Sequence, residues 1–205
     1  MKERPILMSA PMVLAVLNGT KTQTRRVMKL QPHSPPSKVG CAEWETSQGQ
    51  FRCPYGIAGD RLWVRETFQF VHANSDGQRQ TFNSAKPFTQ HDYRWIEYAA
   101  TPRDNEPPPK WKPSIFMPRW ANRITLEIVS VRVERLQDIS EEDAISEGIE
   151  NSNIASSKWP WKNYRGENCW VDSPLYSYQS LWESINGKGS WAKNHWLWVI
   201  EFKKI

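Results

Sequence analysis

Cysteine is scarce in this chain. Cys41, Cys53 and Cys169 are the only three in 205 residues, an odd number at wide spacing. Such a set makes no disulfide framework and fits a reducing compartment. No Cys-x-x-Cys pair occurs, so a zinc centre built from Cys41, Cys53 and His33 lacks the close spacing that zinc ligands use. No other metal-ligand set stands out, and neither metal nor cofactor is expected. Long apolar runs are missing as well. Nothing approaches the roughly 18 consecutive apolar residues of a membrane-crossing helix, and the N-terminus carries no apolar leader. These absences point to a soluble, cytoplasmic protein with no membrane partner. There is no internal repeat and no low-complexity segment.

What is present is tryptophan, proline and a slight excess of cations. Twelve Trp are several times ordinary usage, and 15 Pro cut the chain into short elements. The 27 Lys plus Arg against 22 acids give a net charge of +5, which favours a polyanion without demanding one. The length suits one domain, here taken as residues 1–205, with a core of proper size.

The chemistry concentrates early. Ser9 to Leu17 reads as a short apolar helix with Ser9 at the N-cap and Pro11 in its first turn, and Gly19 stands where a helix wants a left-handed residue. Thr20-Lys21-Thr22-Gln23-Thr24-Arg25-Arg26 follows without apolar period. It brings one amine, three hydroxyls and two guanidinium groups into seven residues. Taken alone it is a solvated basic turn as readily as a site.

Strand chemistry marks Arg4 to Met8, half a hairpin at Trp44 to Arg52, and Arg61 to Phe68, where Leu62 and Val64 face opposite to Trp63, Arg65 and Thr67. Residues 71–112 are polar and proline-rich and read as an insertion, with one strand at Tyr93 to Tyr98 and an extended loop at Thr101 to Pro109. Arg123 to Leu136 is the clearest strand. Its alternation at Ile124, Leu126 and Ile128 slips by one before Val131 and Val133, the signature of a β-bulge. Ile139 to Ile149 is a compact helix capped by Ser140, with Glu141, Glu142 and Asp143 at its positive end and Gly148 as terminator. Glu147 lies at the wrong end of that dipole for a carboxylate. Residues 150–172 form a second insertion. Ser173-Pro174 opens a third helix whose Leu175, Tyr178, Leu181, Trp182 and Ile185 read as core. His195 to Phe202 is a closing strand, apolar on both faces and therefore covered on both; His195 reads as an edge or capping residue.

The expected architecture is α+β, mainly β: a small barrel with about three helices around it and two long insertions. Four stretches then resemble the ASCH family of the PUA-like superfamily, in the family's order. They are Gly19-x-Lys21-x-x-Thr24-x-Arg26, Gly59-Asp60-x-Leu62-Trp63-Val64, Ile139-Ser140-Glu141-Glu142-Asp143-Ala144-x-x-Glu147-Gly148, and the closing Trp198 to Phe202. Arg61 to Glu66 and Phe116 to Trp120 resemble the longer members common in phage and prophage genomes. The resemblance implies a PUA-like β-barrel associated with RNA. Some small relatives are amidohydrolases that remove the acyl group from N4-acetylcytidine; carried over, their Lys, Thr and Glu fall on Lys21, Thr24 and Glu147. Others are reported as ribonucleases or taken as RNA binders.

The residues themselves support such chemistry. Threonine needs a base, and lysine serves as one once burial and neighbouring cations lower its pKa. Lys21 has the cations in Arg25 and Arg26, and partial burial would add to their effect. Thr24 would attack the acyl carbonyl with Glu147 holding Lys21 or shuttling its proton; equally, Lys21 and Glu147 would activate water with Thr24 binding the oxyanion. Trp63 and Trp120 are candidates to stack on the base, with Arg65 and Arg119 near its ribose or a phosphate. The expected partner is a modified nucleoside or single-stranded RNA, bound by a monomer. Lys21→Ala and Glu147→Gln are expected to abolish turnover while sparing the fold.

Overall fold

The computed structural model describes residues 1–40, 43–73, 79–81, 94–101, 110–152, 158–166 and 169–205. The chain is mixed α and β, with strand exceeding helix. Its centre is a five-stranded sheet in the order Glu3–Leu7, Arg61–Arg65, Thr125–Arg135, Trp196–Lys204, Gln23–Val27. The first pair is parallel and the remaining pairs are antiparallel. The long strand Thr125–Arg135 shifts register between Ile128 and Ser130, where the sequence slip predicts a bulge.

Alternation along these strands gives the sheet two different faces. Ile6, Leu62, Val64, Leu126, Ile128, Trp198, Ile200 and Phe202 face a large core with Val13 and Val16 of helix α1 (Ala10–Leu17). Trp44, from a small sheet of Ser37–Lys38, Glu43–Thr46 and Gly49–Arg52, packs edge-on against Trp198 in that core. On the other face Leu197 joins Ala144 of helix α2 (Glu141–Ser146) and Tyr178 and Trp182 of helix α3 (Pro174–Asn186) in a second core. The closing strand is therefore covered on both sides, as its unbroken apolar run requires.

The expected closed barrel is not formed. Glu3–Leu7 and Gln23–Val27 are free edges of the central sheet, with no ladder between them. Each is only five residues long, and a side chain bridges them in place of backbone pairing: Arg26 Nη2 donates to the Leu7 carbonyl at 2.7 Å.

The insertions carry more structure than their composition predicts. Phe68–Ala73 pairs with Arg79–Thr81 and with Arg94–Tyr98, so the strand expected over Tyr93–Tyr98 is present from Arg94. Residues 102–109 of the expected loop lie outside the described residues. In the second insertion Trp161–Asn163 and Cys169–Val171 form a hairpin. Trp44 to Arg52 is a whole hairpin, not half of one. Ser9 occupies the N-cap of α1 but its side chain makes no capping bond. Among the described residues no helix is long and apolar enough to cross a membrane.

Candidate active site at the open sheet edge

Two short chain reversals bring the site together. Helix α1 ends at Asn18 and Gly19, the latter at φ +76°, and the amides of Thr20 and Lys21 both donate to the Ala15 carbonyl. This tight exit delivers Lys21 beside the end of α2. There Ser140 Oγ accepts from the Asp143 amide at 3.1 Å and fixes the helix start, while Glu147 forms the C-cap. Lys21 and Glu147 meet as an isolated antiparallel bridge, and the Thr22 amide donates to the Ser146 carbonyl. Gly148, at φ +81°, makes that approach possible. A Cβ there would stand 2.8 Å from Lys21 Cβ and 2.9 Å from Ala15 Cβ.

Lys21 and Glu147 are 3% and 6% exposed. Lys21 Nζ donates to Glu147 Oε2 at 2.8 Å and to the Glu147 carbonyl at 2.8 Å. The other carboxylate oxygen accepts from Arg25 Nη1 at 3.2 Å. Arg25 Nη2 reaches Asp143 Oδ2 at 2.7 Å and Glu134 Oε2 at 3.2 Å. Asp143 also accepts from Arg132, and its carbonyl from Gln23 Nε2. Gln23 and Arg25 thus point to the α2 and α3 face of the sheet, while Thr24 and Arg26 take the α1 face by strand alternation.

Burial pushes the Lys21 amine below its ordinary 10.5. Glu147 opposes this, and the cations of Arg26 and Arg25 add to it. Burial alone would raise the Asp143 carboxyl, but the hydrogen bonds and charges of Arg132 and Arg25 outweigh it and hold the group below its usual range. The Tyr178 phenol is pushed well above 10 by burial and then by Glu147, against Arg25 and Arg26.

A cavity of about 230 Å³ opens along the edge strand Gln23–Val27. Lys21, Thr24, Arg25, Arg26 and Glu147 line it together with Met12 and Tyr55 on one side and Tyr178, Leu181, Trp182, Ile185 and Asn186 of α3 on the other. Three donors on its lining residues, Arg25 Nε, Arg26 Nε and Trp182 Nε1, are covered by protein and have no acceptor.

The cavity therefore gathers Lys21, Thr24, Arg25, Arg26 and Glu147 from the sequence reading, but not the rest. Trp63, Arg65, Arg119 and Trp120 do not line it. Trp63 projects from the sheet between two guanidinium groups, Arg65 at 5.3 Å and Arg119 at 5.7 Å from its ring centroid. Arg119 is paired with Glu3, and Trp120 stacks on Phe70. Trp63 and Arg65 share the α2 and α3 face with Arg25, but Thr125–Arg135 and Trp196–Lys204 lie between their strand and Gln23–Val27, so they stand at the other end of the sheet from the cavity. The aromatic wall is supplied instead by α3. Tyr178 and Trp182 were assigned to core packing, which they do serve, yet the same residues border the cavity. Helical periodicity shows which side of α3 is buried, not that this side overhangs a sheet edge. His195 lies outside the cavity lining; its carbonyl accepts from the Leu136 amide. Among the described residues no group of three His, Cys, Asp or Glu could hold a metal, and Cys41 falls outside them.

No family model, no curated protein and no solved structure matches this chain.

Proposed function

We propose that the chain is an ASCH-type amidohydrolase, built on an opened PUA-like sheet, that removes the acyl group from an N4-acylated cytosine. The observation that carries this reading is the buried Lys21–Glu147 contact of 2.8 Å at the wall of a cavity that Thr24 also lines. A lysine with a lowered pKa is a usable base, and a carboxylate at hydrogen-bond distance fixes its position. The cavity is smaller than the roughly 300–1,000 Å³ of drug-sized pockets, which suits a single pyrimidine with a short acyl group. Its lining by Lys21, Arg25 and Arg26 suits a ligand rich in acceptors, such as the ring carbonyl and the acyl oxygen of an acylcytosine.

The neutral Lys21 amine takes the proton of the Thr24 hydroxyl as Oγ1 bonds to the acyl carbon and the carbonyl electron pair moves to oxygen. Collapse of the tetrahedral intermediate breaks the C–N bond, and the Lys21 ammonium returns the proton to the departing N4. Water, deprotonated by Lys21, then adds to the acyl-threonine carbonyl; collapse breaks the bond to Oγ1, the Lys21 ammonium returns its proton to that oxygen, and the carboxylic acid leaves. If water attacks directly, the proton path is the same and Thr24 donates to the oxyanion. The net reaction is amide plus water to amine plus acid.

A second reading rests on a separate observation. The Trp63 ring flanked by Arg65 and Arg119, with Trp120 and Phe116 exposed nearby in sequence, is chemistry that stacks bases and draws phosphates. On that reading the protein binds single-stranded RNA there, with or without turnover in the cavity. A chromatographic screen of acylated cytidines, free and within RNA oligonucleotides, separates the two. Release of the acid from the nucleoside supports the hydrolase. No release, with salt-sensitive RNA binding that Trp63→Ala abolishes, supports the binder.

A further inference from the structure

The cavity contains more donors than the hydrolytic scheme uses, and most of them are already committed. Lys21 Nζ spends two hydrogen bonds on Glu147, Arg25 is bound to three carboxylates, Arg26 Nη2 is bound to the Leu7 carbonyl, and Asn186 Nδ2 donates to the Trp182 carbonyl. The indole N–H of Trp182 has no acceptor but is fully covered by protein. Tyr178 is different. It is 3% exposed and lines the cavity, and its hydroxyl makes no hydrogen bond with any described residue. Its ring is fixed by Trp182 and Trp191, both with centroids at 6.3 Å, and by the Arg25 guanidinium at 5.9 Å. Phenylalanine would fill the same space, and the hydroxyl, unlike the Trp182 indole N–H, is not fully covered by protein, so packing alone gives no reason for tyrosine here.

We infer that the Tyr178 hydroxyl is the donor that meets the acyl oxygen of the bound ligand and stabilises the oxyanion as it forms. The inference rests on the hydrolase reading above and adds to it the group that receives the developing charge. Glu147 and Arg25 lie within electrostatic reach of this phenol, and burial keeps its proton in place at any working pH. It can therefore donate without being consumed. The proton stays on the phenol oxygen throughout, and no bond to Tyr178 forms or breaks. Charge appears on the acyl oxygen only in the transition state, so the contact strengthens there and shows mainly in kcat.

The test is Tyr178→Phe, with Tyr176→Phe, exposed on the same helix and outside the cavity lining, as the control, assayed with N4-acetylcytidine. The expected result is a fall in kcat of about 10²-fold with KM changed less than threefold, a melting temperature equal to or above that of the parent, and a control within threefold of it. Turnover by the parent with Tyr178→Phe equally active overturns the inference and leaves the hydrolase reading standing. If the parent itself does not turn over, the hydrolase reading fails. Calorimetric binding of N4-acetylcytidine then decides for Tyr178: weaker binding by the variant retains it as a ligand donor, and equal binding, or none by either protein, overturns that role too.

Discussion

Replacing Glu147 by Gln isolates what the buried pair contributes. The carboxylate, 6% exposed, accepts from Lys21 at 2.8 Å and Arg25 at 3.2 Å, so the substitution leaves two buried cations facing a neutral amide. Removing one partner of a buried pair costs about 3–5 kcal/mol. Two features of this site bring the expected value to the lower end, about 3 kcal/mol on that scale. Arg25 keeps Asp143 and Glu134, and Lys21, its pKa already lowered, sheds its proton rather than stay charged and alone. Lys21→Met should cost less, because Glu147 still has Arg25. The double variant should be more stable than Glu147→Gln alone, since it buries no orphaned amine. Guanidinium unfolding of the four proteins at pH 7 completes the cycle. Lys21 is a base whose folded pKa lies below its unfolded value, so between the two the unfolded chain binds more protons and stability rises with pH. The deficit of Glu147→Gln should accordingly shrink as pH climbs toward 10.5. A Glu147→Gln protein as stable as the parent, or strictly additive variants, refutes this account of the pair. The burial also corrects the sequence-based expectation that such changes spare the fold: loss of turnover in Glu147→Gln must be scored on folded protein.

Three further outcomes follow from the same geometry. Gly148→Ala places a Cβ at 2.8 Å from Lys21 Cβ on a backbone of φ +81°, and should lower stability by more than the 1 kcal/mol or so of an ordinary Gly position while abolishing turnover; thermal melts and the acylcytidine assay check both. The rate should rise with pH through a midpoint below 10.5, as Lys21 loses its proton, and a pH–kcat profile flat from 6 to 10 would contradict lysine as the base. Cys53 is buried with its thiol pushed up to about 11, whereas Cys169 is exposed, so brief treatment with N-ethylmaleimide at pH 7.5 should modify Cys169 before Cys53, read by peptide mass.

Local chemistry made much of this fold legible before any coordinates. The slip between Ile128 and Val131 located the bulge, Ser140 and Gly148 bracketed the second helix, and the doubly apolar Trp196–Phe202 run marked a strand covered on both faces. The barrel was not legible, because closure depends on how two edges meet, and here, among the described residues, a single side-chain hydrogen bond from Arg26 joins one to the other. For the site, a Lys and a Glu 126 positions apart were paired by resemblance to a motif order, not by any local signal. Arg25, expected to contact the ligand, lines the cavity and also binds Glu147, Asp143 and Glu134, pairings that no local signal in the sequence shows. Trp63 and Trp120 were misplaced because aromatic character does not reveal which end of the sheet holds the hole. Tyr178 and Trp182 were overlooked for the converse reason: a residue can be core at its base and border a cavity at its tip.

Ultraviolet absorbance of N4-acetylcytidine, followed with the parent protein and with folded Lys21→Ala side by side, tests the assignment most directly. The account requires a time-dependent conversion to cytidine by the parent and none by the variant. A parent that leaves the spectrum unchanged, or a Lys21→Ala protein that converts the nucleoside at the parental rate, contradicts it.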